Sequence, residues 1–341
     1  MRILLYGINY APELTGIGKY TGEMAQWFAT RGHDVHVLTA MPYYPEWQIH
    51  PDYRKRLWHT EKVGGVTVHR APLYVPAEVS ALKRMIHEFS FLLSSVPFWL
   101  SFLFSKKFDV VFSIAPPFHL SLAPWIYRLI KPGVWINHIQ DLQVDAAKDL
   151  GMIKNKRFLA IMFSLERFFL KKGTRVSTIS EGMHKKIVAK GIPTGKMLFI
   201  PNWVDSKVVH PLPKEASLRE QMGFAPDDKV ILYSGNLGEK QGLDAVIRAA
   251  ETFVSTPEVK FAICGTGGAK AKLMEQAAAA KLQNVFFFPL QPYEKLSALL
   301  ASADLHLVLQ KGSAADLVMP SKLTGILAAA GCALVTALPG T

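Results

Sequence analysis

Short, almost wholly apolar runs alternate along this chain with longer segments in which apolar residues return every three or four positions. Runs of the first kind, at 3–6, 35–39, 66–69, 110–113, 135–138, 176–179 and 197–200, predict buried strands. The periodic stretches between most of them, 18–30 and 117–130 for example, predict amphipathic helices. The second half repeats the scheme, with strands at 230–234, 260–264, 285–288, 305–309 and 333–336 and helices near 240–252, 268–280, 293–302 and 321–330. Strand–helix alternation of this kind predicts an α/β fold of two doubly wound parallel sheets in tandem. The boundary is expected near Asp205, where Pro201-Asn202-Trp203 leads into Pro211-Leu212-Pro213-Lys214. That gives an N-terminal domain of 1–205 and a C-terminal domain of 206–341. Ala337-Leu338-Pro339-Gly340-Thr341 reads as the loop after a strand, so the second domain is expected to be incomplete, its missing layer truncated or supplied by something else.

One apolar segment stands outside the pattern. Phe89–Phe104 is apolar and aromatic, interrupted by Pro97 and flanked by Lys83-Arg84 and Lys106-Lys107. It reads as a buried core helix, as a helix lying in a membrane interface, or, being short of about 20 apolar residues, least well as a span.

Composition narrows the picture. At 341 residues, 50% apolar and 19% charged, the chain is too hydrophobic to be disordered and long enough for two cores. Its two cysteines, Cys264 and Cys332, exclude a disulfide framework and a cysteine-built zinc cage. Met1–Gly7 reads as a strand and not as a secretory signal, which predicts a cytoplasmic protein. The net charge is 39 − 27 = +12, and residues 151–200 hold +9 of it, eleven Lys/Arg against Glu166 and Glu181. Such a balance suits nucleic acid, an anionic membrane or phosphorylated substrates. With no zinc-finger, basic-zipper or RNA-recognition signature, nucleic acid is not expected as a partner.

The candidate chemistry sits at strand ends. Gly16-Ile17-Gly18 closes the first loop at a helix start, where backbone N–H groups can approach a phosphate. The next glycine, Gly22, falls one position too late for G-x-G-x-x-G, and no acidic residue closes the second strand, so a dinucleotide site is not indicated. The second half offers three more such places: Gly235-Asn236-Leu237-Gly238-Glu239-Lys240, Gly265-Thr266-Gly267-Gly268, and Pro320-Ser321-Lys322 opening a helix. Together they point to one nucleotide crevice.

With Ile200-Pro201-Asn202-Trp203-Val204-Asp205 at the junction and Ser234–Gly242 opening the second half, the chain resembles glycosyltransferase family 4. His138-Ile139-Gln140-Asp141-Leu142-Gln143-Val144-Asp145 is similar to the colanic acid, or extracellular polysaccharide, branch of that family. The resemblance implies the GT-B architecture, two Rossmann-like domains facing across a cleft. It also implies retaining, metal-independent transfer of a hexose, fucose as one candidate, from a nucleotide diphosphate sugar to a polyprenyl-diphosphate-linked saccharide. The chain contains no Asp-x-Asp, in keeping with a site that needs no metal. Diphosphate charge would fall to Lys240 and Lys322, with Gly16, Gly18, Asn236, Gly265, Gly267 and Ser321 completing the donor site. The donor would carry GDP or UDP.

Departures from the family pattern accompany the match. Asn236 stands where many members have Arg, and the family's paired glutamates fall on Leu317 and Gly325, leaving Asp316 as the substitute. On the acceptor side, Asp141 with His138 in support is expected to orient the acceptor hydroxyl and stabilise charge as the diphosphate leaves. Asn9, Tyr10, Glu181 and Asn202 are expected around them, Glu181 alternatively as part of a helix cap with Ser180. The 80–107 segment and the basic 151–200 stretch would hold the enzyme peripherally on the inner membrane face. A nucleotide-sugar epimerase of the same architecture and a non-catalytic partner subunit remain as alternatives.

Overall fold

A computed structural model describes residues 1–13, 16–78, 80–149, 151, 153, 155–238, 241–309 and 322–337. The chain divides into two units, the first Met1–Pro201 and the second starting at Asn202.

In the first unit, β1 (Arg2–Tyr6), β2 (Asp34–Ala40), β3 (His59–Val63), β4 (Val66–Ala71), β5 (Val110–Ala115), β6 (Val134–Ile139), β7 (Arg175–Thr178) and β8 (Met197–Phe199) form one sheet. Its order is β3-β4-β2-β1-β5-β6-β7-β8, and all neighbours run parallel except β3 with β4. The chain changes direction between β1 and β5, the switch point at which doubly wound sheets open a crevice at their carboxyl ends. Strand β3 escapes the sequence pattern because it is mostly polar, His-Thr-Glu-Lys-Val. Its signal is the turn: Gly64 and Gly65 both take positive φ, as a two-residue hairpin loop requires.

Helices α1 (Gly16–Thr30), α2 (Ala81–Ser94), α3 (Val96–Phe104), α4 (Leu122–Ile130), α5 (Gln143–Asp149), α6 (Lys156–Lys172) and α7 (Glu181–Ala189) cover the sheet. The apolar segment at 89–104 is therefore helical, joined through Ser95. Pro97 falls in the first turn of α3, where its missing N–H breaks nothing. Phe91, Trp99 and Phe102 pack into the core with Leu4 and Tyr6 of β1, and the Tyr6 hydroxyl shares a 2.8 Å hydrogen bond with Ser95. At the far edge, Lys190 reaches both Asp145 of α5 and Glu166 of α6, tying that helical corner to the end of α7.

In the second unit, β9 (Lys229–Ser234), β10 (Val259–Cys264), β11 (Val285–Phe288), β12 (Leu305–Val308) and β13 (Ala333–Val335) make an all-parallel sheet in the order β11-β10-β9-β12-β13. Its helices are α8 (Asp244–Glu251), α9 (Lys270–Ala279), α10 (Leu296–Ala301) and α11 (Lys322–Ala328). The switch point lies between β9 and β12, so the loop after β9 stands where a ligand is expected.

Candidate functional site

The second unit presents two glycine loops side by side. The chain leaves β9 through Gly235–Gly238 and leaves β10 through Gly265–Gly268, and the two turns pack backbone to backbone. Gly235 N–H donates to the Cys264 carbonyl at 2.9 Å, Leu237 N–H to Thr266 at 2.8 Å, and Ala269 N–H to Leu237 at 2.9 Å. A Cβ on Gly265 would stand 1.9 Å from the Gly235 carbonyl oxygen, and one on Gly267 2.5 Å from that of Leu237. Both residues hold φ near +150°, which side chains rarely adopt. These glycines are thus demanded by each other's loops, whatever ligand they meet.

Lys322, the first residue of α11, completes the arrangement. Its Nζ lies 3.6 Å from the centroid of the Tyr233 ring. It would be 3.1 Å from a Cβ on Gly235, and it is buried with no hydrogen-bond partner among the described residues. Burial pushes its amine down to about 7. The ring face offsets part of the cost of a desolvated ammonium, but an anion beside it would offset far more. Asn236 is exposed, and its carbonyl accepts from the Tyr233 hydroxyl at 2.8 Å. Lys240, Asp316, Leu317 and Ser321 lie outside the described residues. Gly325 is buried in α11 and brings no carboxylate.

The first unit's glycine loop is built differently. Gly16 takes φ +62°, and a Cβ added there would meet only the Tyr44 ring, at 4.0 Å, among the described residues. Gly18 is pressed against Glu13, whose Oε2 would lie 2.7 Å from an added Cβ. Glu13 is the residue that sequence reasoning missed. Its buried carboxylate accepts from the backbone N–H groups of Tyr43 (3.2 Å) and Tyr44 (3.1 Å) and from Asn9 Nδ2 (2.9 Å), fastening the loop after β1 to the loop after β2. Burial raises its pKa to about 7, against the pull of those donors and of Arg70. An acid in the stretch Ala11-Pro12-Glu13 looks like an ordinary loop residue, so nothing in the sequence marks it.

The remaining expected residues separate into two groups. Asp141 stands half-buried just past β6, near enough to Tyr44 that its charge adds to the upward pKa shift that burial and Glu13 chiefly cause there. Asn9, also half-buried, is turned toward Glu13 and the Tyr43 hydroxyl. Asn202 is buried, with its side-chain oxygen unpartnered among the described residues. His138, by contrast, is buried on β6 with Nδ1 on the Ser177 hydroxyl and Nε2 on the Gln140 amide, both at 2.9 Å. Burial lowers its pKa to about 4, so it is a neutral positioning group for Gln140 and touches no acceptor from there. Tyr10 is likewise a core residue, stacked near the Arg70 guanidinium, and not an acceptor contact. Glu181 opens α7, which Ser180 caps through Met183 N–H, and it pairs with Lys185 in solvent. Among the described residues, no three His, Cys, Asp or Glu side chains converge as metal ligands would.

Two glycine-loop sheets of this kind have counterparts among known proteins. A family model described as a glycosyl transferase 4-like domain matches residues 15–203, and one described as glycosyl transferases group 1 matches residues 214–340. The chain belongs to glycosyltransferase family 4. It is 44% identical over 342 residues to WcaI of Escherichia coli (strain K12), named as a colanic acid biosynthesis glycosyl transferase, covering 99% of this chain and 83% of that one. The fold of this glycosyltransferase is that of sucrose-phosphate synthase from Thermosynechococcus elongatus, at TM-score 0.71 and 16% identity over 99% of this chain and 82% of the other. It is equally that of HepE from Anabaena, solved in complex with UDP, at TM-score 0.68 and 13% identity over 98% and 80%. Both sheets of the glycosyltransferase are accordingly the Rossmann-like halves of the GT-B fold.

Proposed function

We propose that this glycosyltransferase moves a hexose, with fucose the first candidate, from a GDP- or UDP-sugar to a polyprenyl-diphosphate-linked saccharide in the assembly of a colanic acid-type exopolysaccharide. The 44% identity to WcaI supports the pathway class. The observation that carries the donor chemistry is Lys322, whose amine is buried beside the Gly235 loop with no hydrogen-bond partner among the described residues. A leaving diphosphate placed there would meet that cation, so part of its charge is offset without a divalent ion. Lys240 and Ser321 would add to the same donor site. Asp141 would orient the acceptor hydroxyl, with His138 acting behind it through Gln140. Transfer proceeds with retention of configuration, as in the family, and the enzyme works peripherally at the cytoplasmic membrane face, where its lipid-linked acceptor is held.

The test is product analysis by mass spectrometry, with membranes, a panel of GDP- and UDP-sugars, and a parallel arm containing EDTA. Nucleotide release that needs the lipid acceptor and survives EDTA is expected. Release without acceptor would point to epimerisation or hydrolysis, and loss in EDTA would overturn the metal-free site.

A further inference from the structure

Along α2 and α3 the outward residues Leu82, Ile86, Phe89, Leu93, Val96, Leu100 and Phe104 follow one another at intervals of three or four, and all are exposed. Leu93 is 69% exposed and Phe104 91%. Together α2 and α3 run about 36 Å at 1.5 Å per residue, the length of a membrane-crossing helix. Their inner face rules out crossing, because Phe91, Trp99 and Phe102 are committed to the core of the sheet. An amphipathic helix of this sort presents its apolar stripe outward while remaining part of the fold.

The stripe does not stand alone. Trp99 of α3 packs on Tyr127 of α4, and Trp125 of α4 meets Phe168 of α6 edge-on. The outer sides of those neighbouring helices continue the apolar surface with Ile126, Leu129 and Ile130 on α4 and Ile161 and Leu165 on α6. At the α2–α3 junction Trp58 donates its indole N–H to the Ser94 carbonyl and leaves half its ring exposed, the amphipathic placement favoured at membrane interfaces. Four helices thus expose one broad apolar layer, larger than scattered surface residues would make.

Charge selects what covers it. The charges on the outer sides of these helices are basic, with Arg84, Lys156, Arg157, Arg167, Lys171 and Lys172 exposed, Arg128 half-buried on the Lys172 carbonyl, and Lys83 facing the exposed Glu78 just before α2. The two acids, Glu88 and Glu166, are buried and paired with Arg84 and Lys190. A second copy docked on this face would set basic rims against basic rims. An anionic bilayer offers hydrocarbon for the stripe and headgroup charge for the rims.

We infer that the outer face of α2, α3, α4 and α6 is a lipid-docking plane, lying on and not crossing an anionic membrane, with Leu93, Leu100 and Phe104 entering the acyl boundary. The inference rests on the reading of a membrane-borne acceptor and specifies the surface that meets it. Flotation of the full chain with vesicles tests it directly. Binding is expected to phosphatidylglycerol-containing vesicles, to be weaker by tenfold or more on pure phosphatidylcholine, and to fall as salt rises from ~0.05 to 0.5 M. The variant Leu93→Ser/Leu100→Ser/Phe104→Ser should lose at least roughly tenfold in partitioning while keeping its melting profile. Should that variant misfold, Arg128→Gln/Lys171→Gln/Lys172→Gln must show weakened, less salt-sensitive binding. Equal binding by all variants, indifference to lipid charge, or a stable dimer by sedimentation that the triple-serine variant dissociates would overturn the inference. No donor or acceptor is present in this assay, so its failure is separate from any failure of sugar transfer.

Discussion

The two glycine loops look alike in sequence and differ in what they leave unsatisfied. In the first unit, Glu13 closes the loop from within, taking three N–H donors and filling the space that Gly18 vacates. In the second, the loops satisfy each other's backbone but leave the Lys322 amine buried without an acceptor among the described residues. A buried cation held unpaired costs stability, and its place is understood when a ligand supplies the missing charge. Glycine patterns alone do not separate these cases. The polar group left over does.

The comparison breaks most sharply at Gly265. Its replacement by Ala would drive a Cβ to 1.9 Å from the Gly235 carbonyl in a backbone region alanine avoids, a cost of about 3 kcal/mol or more. Gly265→Ala should spread the two loops, destabilise the second unit in urea denaturation, and abolish donor binding by calorimetry. A normal melt with normal donor affinity would mean the loops are not interlocked as described.

Glu13 sharpens the first side. In the unfolded chain its carboxyl ionises near the ordinary 4.5, but in the fold only near 7. Between those values the folded protein holds the extra proton, so stability falls as pH rises through this window, by up to about 3 kcal/mol. Glu13→Gln carries no such penalty. Its stability should match the parent near pH 4.5 and exceed it increasingly toward pH 8, read as the difference between paired urea melts. A constant difference across that range would show that Arg70 and the amide donors outweigh burial.

Lys322 carries the opposite sign for binding and stability. With a folded value of about 7 against an ordinary 10.5, the unfolded chain binds the extra proton, so the ligand-free second unit gains stability as pH rises from 7 toward 10.5. Donor binding restores the charge and takes up a proton, so affinity weakens over the same rise. Lys322→Ala should cost about 1.5–3 kcal/mol of donor affinity, roughly ten- to 150-fold, and flatten that pH dependence. Calorimetry in two buffers of different ionisation enthalpy measures the proton uptake; none at pH 8 would remove Lys322 from the diphosphate.

Much of this was legible in the residue order, and the failures have physical causes. Every strand built on an apolar run appears; for the inner strands this is because burial on both faces of a parallel sheet writes itself as a continuous hydrophobic stretch, while the edge strands β8 and β13 keep the apolar run although they are largely exposed. Strand β3, antiparallel at the edge with a polar sequence, leaves only the Gly64-Gly65 turn as its trace. Lys322 was readable from a helix start after Pro-Ser. His138 was not, since Ser177, which claims its Nδ1, lies 39 residues away, and Gln140 takes the other nitrogen. Contacts between distant strands decide whether an imidazole is available, and no local pattern encodes them.

Glu181 gives the smallest expected effect and the cleanest discrimination on the first unit. It begins α7 in solvent, where an acid complements the helix N-terminus, and it forms an ion pair with Lys185 one turn on at 3.6 Å. An exposed pair of that spacing contributes roughly 0.5 kcal/mol or less, while Ser180 supplies the cap itself. Glu181→Gln should therefore shift the melting temperature barely and leave kcat/KM for transfer within about twofold, whereas Asp141→Asn should depress kcat. If Glu181→Gln lowered kcat as Asp141→Asn does, a carboxylate at the start of α7 would belong with the acceptor after all, and the division between solvated helix starts and occupied strand ends would have to be redrawn for this unit.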